Sequence, residues 1–174
     1  MTRQSLHRGL AGAAVVAAAL AVWVGEPVAK PAPTGADELS AIELAQWIHD
    51  RRDGLRVVDV RPPADFAADH LPGSENAPAL GVDPAAFAAT DSTVLYGWSD
   101  EAARSIQERL RTSGRHALVL RGGYDAWTRE VLSPEIPAGA ADREPYRTIA
   151  ALSRYFGGRP RVGPAARPSS WRGC

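Results

Sequence analysis

The sequence predicts an α/β fold with a mainly parallel central sheet. Three observations predict it. Residues 55–60, 93–96 and 117–120 are short apolar runs with the length of buried strands. Each is followed by a stretch with helical signals, and strands alternating with helices imply parallel pairing with helices on both faces. Gly or Pro punctuates the junctions at Gly54, Pro62-Pro63, Gly114 and Gly122-Gly123.

The elements follow in order. Ser40-Ala41-Ile42-Glu43 is a capping box, and Ile42, Leu44, Ala45, Trp47 and Ile48 give the helix it opens an apolar face. Gly54 is expected to cap that helix. Strand 55–60 ends at Pro62-Pro63, residues 63–69 make a helical turn with Phe66 inward, and 70–78 are loop. A short helix is expected over 84–89, then strand 93–96. Residues 100–112 read as a helix with Ile106 and Leu110 on one face, ended by Gly114. Strand 117–120 leads through Gly122-Gly123 into a helix carrying Ala126, Trp127 and Val131. Residues 134–139 read as loop and 146–156 as a last helix, with Ile149, Leu152 and Tyr155 or Phe156 apolar. No internal repeat is visible.

The predicted organisation has four parts: a signal or anchor helix over 1–25, a Pro-rich linker over 26–37, one domain over 38–136, and a basic extension over 137–174, partly disordered. Arg3, His7 and Arg8 precede an uncharged apolar run from Gly9 to Gly25, at the short end for a membrane span. Ala19-Leu20-Ala21 offers a small-x-small cleavage pattern but lies inside that run, so an uncleaved anchor is favoured over a cleaved, secreted form. The basic N-terminus then stays cytoplasmic and the domain faces the periplasm or cell exterior. One lysine against nineteen arginines fits a bacterial chain from a GC-rich genome. The linker should be extended and hold the domain off the membrane.

Charge cancels over the whole chain, which removes bulk attraction to nucleic acid. It does not cancel locally. Residues 38–136 carry sixteen acids and ten arginines, net minus six; residues 137–174 carry seven arginines and two acids, net plus five. The tail either folds back on the acidic domain or stays solvated.

Asp59-Val60-Arg61, then Asp65-Phe66, then His70-Leu71-Pro72-Gly73-Ser74-Glu75-Asn76, and finally Arg121-Gly122-Gly123-Tyr124-Asp125-Ala126-Trp127 together resemble the rhodanese-like domain family. The resemblance spans about residues 38–136. It implies a three-layer α/β sandwich, and structural roles for Asp59, Arg61, His70, Gly73, Gly122, Gly123 and Trp127. It also implies a sulfur-carrying cysteine directly after the strand at 93–96. That position holds Gly97. The loop Gly97-Trp98-Ser99-Asp100-Glu101-Ala102-Ala103-Arg104-Ser105 is two residues longer than the family's. Aligning Arg104 with the family's arginine puts Ser99 at the cysteine position, so neither alignment supplies a thiol.

In active members, backbone N–H groups and a helix N-terminus converge on the sulfur, lower the thiol pKa and hold anionic donors such as thiosulfate. Here Asp100 and Glu101 fall in the first helical turn, where carboxylates satisfy the dipole and repel an incoming anion. The leading expectation is a non-catalytic binding or scaffolding module at the membrane with an unknown protein partner. Trp98 either anchors that contact or folds over the vacated pocket. The alternative is a sulfur-transfer or thiol-redox protein using Cys174, the one cysteine in the chain, brought back beside Arg104. A serine hydrolase built on Gly97-Trp98-Ser99 lacks the closing glycine of a nucleophile elbow, since Glu101 stands there. No histidine is placed to serve as its base, though His70 and His116 exist, and Ser99 reads better as a helix cap. His7, His49, His70 and His116 show no ligand spacing, so neither a metal nor another cofactor is expected.

Overall fold

Alternation along three strands builds two cores from one sheet. In a computed structural model that describes residues 37–87 and 92–163, β1 (Glu38–Leu39), β2 (Leu55–Asp59), β3 (Glu75–Asn76), β4 (Ser92–Tyr96) and β5 (Leu118–Leu120) pair in the order β1-β5-β4-β2-β3, every pair parallel. Successive side chains of a strand point to opposite faces. Val57, Val94, Tyr96 and Leu120 therefore join one core, and Val58, Leu95 and Val119 the other.

The first core is covered by α1 (Ala41–His49), by α4 (Gly123–Ala126) with its π-helical continuation over Trp127–Leu132, and by α5 (Tyr146–Tyr155). Leu44, Trp127, Val131 and Leu152 are its main contributions. The second is covered by α3 (Asp100–Thr112) through Ala103, Ile106 and Leu110, with Val82 and Phe87 from the preceding segment. The α/β architecture with a mainly parallel sheet and helices on both faces is thus as the alternation implies. The Ser40 capping box is present in both directions, Glu43 N–H to the Ser40 hydroxyl at 3.2 Å and Ser40 N–H to the Glu43 carboxylate at 3.0 Å.

The differences have local causes. α1 ends at Asp50, not Gly54: the Asp50 N–H closes onto the Gln46 carbonyl at 2.8 Å, and Arg51 takes the left-handed turn at φ 53°. A further turn would hold only Arg51, Arg52 and Asp53, with nothing to bury. The loop over 70–78 contains β3, two residues on the ladder of Val58 and Asp59, too short to show a period. Helix α2 (Pro63–Ala68) forms, but Phe66 is only half-buried, stacked 4.2 Å from the His70 ring. Residues 84–86 make a single 3₁₀ turn, and the end of the helix expected over 84–89 lies outside the described residues. The loop over 134–139 holds β6 (Glu135–Pro137). It pairs in parallel with β7 (Arg161–Gly163) across α5, so the extension carries ordered structure through Gly163. In α5 the buried residues are Ala150, Leu152 and Ser153, while Tyr155 is exposed.

The expected signal or anchor over 1–25, all but the last residue of the linker over 26–37, and Cys174 lie outside the described residues. Among the described residues no helix is long and apolar enough to cross a membrane.

Ile106, 1% exposed, is the central apolar residue of α3. Ile106→Ala should lower the unfolding free energy by about 3 kcal/mol through lost transfer energy and a residual cavity. Urea denaturation should show this as a shifted midpoint at unchanged slope.

Candidate functional site

In a parallel sheet the loops leaving the carboxyl ends of adjacent strands converge, and binding sites form there. Here β2 delivers Asp59 and Arg61, β4 delivers Gly97 and Trp98, and β5 delivers Arg121 to Gly123 to one edge.

Arg61 organises that edge. Asp59 is fully buried and Arg61 is 2% exposed. The Arg61 Nε donates to both Asp59 carboxylate oxygens at 3.0 Å, and Nη2 to Oδ2 at 2.7 Å. Nη2 also donates to the Asp69 carbonyl at 2.6 Å, tying down the end of α2. The Asn76 amide donates to the carbonyls of Asp59 and Arg61 at 3.1 and 3.0 Å. Burial alone would lower the Arg61 pKa; the Asp59 hydrogen bonds and charge outweigh it and hold the guanidinium charged. Its carbon lies 4.1 Å from the Tyr124 ring centre, 4.6 Å from Trp98 and 5.6 Å from Tyr96, a cation against three aromatic rings. Tyr96 is wholly buried, its hydroxyl accepting from Leu71 N–H at 3.1 Å and lying 3.0 Å from the Ser74 hydroxyl. Burial pushes its pKa far above the ordinary phenol range. Tyr124 donates to the Asp69 carboxylate, and burial first, then that bond, pushes it up to about 12.

Gly97 is buried at the end of β4. Its carbonyl accepts from Tyr124 N–H at 2.8 Å. A Cβ on Gly123 would sit 2.4 Å from that carbonyl oxygen, and Gly123 has φ +56°, so the second glycine of the pair is required on both counts. A Cβ on Gly97 would meet Ser99 O at 3.2 Å and Val60 Cγ2 at 3.4 Å, which is tight but not blocked.

The head of α3 then closes the cradle with the chain's own anion. The Asp100 Oδ1 accepts from Gly122 N–H at 2.6 Å. Its Oδ2 pairs with Arg104 at 3.3 Å, and Arg104 also pairs with Glu38. Ser99 stands at the N-cap position, but its side chain makes no capping bond. The acid one residue on reaches across to the β5 turn instead.

Trp98, Ser99, Asp100, Glu101, Arg104, Gly122, Asp125 and Arg129 line an open groove of about 720 Å³ beside this cradle. Trp98 is 48% exposed, and its indole N–H donates to Asp65 at 3.0 Å while its ring meets Tyr124 edge-on at 5.4 Å. It is a wall of the groove, fastened on the side away from α3.

The structure therefore brings Gly97, Trp98, Ser99, Asp100, Glu101, Arg104, Gly122 and Gly123 together, with Asp59 and Arg61 beneath them. Trp127 packs in the core, its ring 5.1 Å from Phe156. Gly73 makes a left-handed turn at φ +74°. Ser105 is exposed on α3 and absent from the groove. His70 binds the Phe66 carbonyl at 3.0 Å, and His116 precedes β5 at the opposite edge of the sheet, so neither is placed as a base at Ser99. Cys174 lies outside the described residues. Glu38, Asp65, Asp69, Tyr124, Asp125 and Arg129 are additions that the sequence reading missed as site residues. A signal existed for two of them: Asp125 and Arg129 are four apart after the glycine pair, on one face of the helix it starts.

Asp59→Ala should cost about 3–5 kcal/mol in chemical denaturation, because it strands a buried guanidinium. Tyr124 predicts a pH signature. Its pKa is raised on folding, so its contribution is complete below about pH 10 and lost as pH climbs toward 12. The denaturation midpoint should fall more over that window in the native protein than in Tyr124→Phe.

The profile of the rhodanese-like domain matches residues 40–130, more than half of the chain. An uncharacterized protein of Synechocystis sp. is 29% identical over 80 residues, which are 44% of this chain and 45% of that protein, so the chain spans less than half the length of this curated relative. Among solved structures, a rhodanese-like domain protein from Staphylococcus aureus is 19% identical with a TM-score of 0.49, covering 52% of this chain and 90% of that one. A human single-domain sulfurtransferase is 27% identical with a TM-score of 0.45, covering 53% and 96%. The chain belongs to the rhodanese-like domain family.

Proposed function

We propose that this chain is a membrane-tethered rhodanese-like module whose loop binds a partner and does not transfer sulfur. One observation carries the reading. The backbone N–H of Gly122, beside the N-terminus of α3, is already satisfied by the Asp100 carboxylate at 2.6 Å. An anionic donor arriving at this loop meets a resident anion, and Gly97 offers no nucleophile to receive its sulfur. The half-exposed indole of Trp98, held by Asp65 and Arg61, supplies a rigid aromatic of the kind that anchors protein contacts. Tethering is supported by the uncharged apolar run over 9–25 behind Arg3 and Arg8, an arrangement that favours a domain outside the cytoplasmic membrane of a bacterium.

Sulfur transfer from thiosulfate or mercaptopyruvate to cyanide or dithiothreitol, with mass spectrometry for a persulfide, tests the reading in the full chain. No turnover and no persulfide is the expected result. Turnover abolished by Cys174→Ser would make position 174 the sulfur carrier and overturn it, and turnover surviving that substitution would overturn the account of the loop itself.

Two substitutions separate the missing thiol from the resident anion. Gly97→Cys alone should acquire persulfide from thiosulfate slowly, because the Asp100 carboxylate holds the Gly122 N–H and repels the donor anion. Adding Asp100→Ala should speed that step by at least about tenfold, through a lower thiol pKa and a freed N–H donor.

A further inference from the structure

We infer that residues 164–174 of this same chain, through Arg167, Trp171 and Arg172, dock in the groove between Trp98 and Asp125. The inference goes beyond the proposed function and stands apart from it, since it concerns what fills the groove and not what the groove catalyses.

The charges in the groove are unequally committed. Arg104 is held by Glu38 and Asp100, and Arg129 by Glu130. Asp100 is further held by the Gly122 N–H. Glu101 and Asp125, both exposed, have no ion pair among the described residues. The groove thus presents two uncommitted carboxylates beside an exposed indole edge, which suits a guanidinium and an aromatic ring and disfavours an anion. Residues 164–174 carry two arginines around a tryptophan and no acidic side chain.

Reach and concentration both permit the contact. The described chain ends on β7 at Gly163, paired with Pro137 of β6. β6 begins three residues after Leu132, the end of the helix whose Asp125 and Arg129 line the groove. Eleven residues from 164 to 174 extend up to about 36 Å. A short tether of this kind supplies an effective concentration in the millimolar range, so a contact of only millimolar intrinsic affinity is well populated. Residues 38–163, net minus three, and residues 164–174, net plus two from side chains, favour the encounter. Docking here competes with any external partner of Trp98, and it brings position 174 to the loop where the family keeps its thiol.

The single cysteine makes the test direct. Ser99→Cys places a second thiol in the groove, and Ser113→Cys places one at the far end of α3, about 20 Å away. Under mild oxidation of the full chain, disulfide formation with Cys174 should be at least tenfold faster from position 99 than from 113, and independent of protein concentration. Glu101→Lys with Asp125→Lys should remove that advantage, and adding Arg167→Glu and Arg172→Glu should restore part of it. Equal rates from the two positions, or an advantage that survives the charge reversal, would overturn the inference. Cross-linking that rises with protein concentration would assign the groove to a second copy and overturn it equally.

Discussion

The edge of the sheet that carries the loops depends on one buried ion pair. Asp59 and Arg61 sit two residues apart at the end of β2, and the guanidinium spends its donors on the Asp59 carboxylate and the Asp69 carbonyl. That leaves its flat faces for Trp98, Tyr124 and Tyr96. Three loops from three strands are thereby held against a single cation. Removing water from such a pair costs energy that Coulomb attraction returns only when every hydrogen bond is made. Here Nε and Nη2 are bonded, both Asp59 oxygens accept, and Asn76 locks the neighbouring carbonyls. The pair is better understood as a device for register and loop placement than as a source of net stability.

What stands on that frame is an anion-binding geometry turned inward. The head of α3 and the turn after β5 bring a helix N-terminus and a backbone N–H to the same point, an arrangement that attracts negative charge. The chain supplies the charge itself. Asp100 is both the first residue of α3 and the acceptor for Gly122, and through Arg104 it is coupled to Glu38 on β1. The loop is therefore electrostatically complete without a ligand. Gly97 carries no side-chain nucleophile, and Asp100 takes up the N–H donor of Gly122 nearby.

Much of the fold was legible because its signals were local or strictly periodic. The Ser40 capping box, the apolar stripe of α3 and the glycine pair before α4 each declare themselves within a few residues. Of the five strands of two or three residues, only β5 was legible, from its apolar run. β1, β3, β6 and β7 exist only because a neighbouring ladder accepts them, and no window of that length carries a period. The end of α1 was misread because Gly54 is the obvious left-handed residue, whereas Arg51 takes that conformation first and Gly54 serves the entry to β2. At the site, the loop from Gly97 to Arg104 could be found from motif order alone. The partners that give it meaning could not: Asp65 lies thirty-three residues from Trp98, and Gly122 twenty-two from Asp100. Pairings of that separation are set by sheet order, which the sequence implies only in outline.

The most direct measurement is a titration of thiosulfate into the ¹⁵N-labelled full chain, following the amide signals of Gly97 to Glu101 and of Gly122. With the cradle filled by Asp100, these signals should show no saturable shift. A saturable shift at the Gly122 amide would mean that an external anion displaces the carboxylate, and would contradict the account of a loop completed from within.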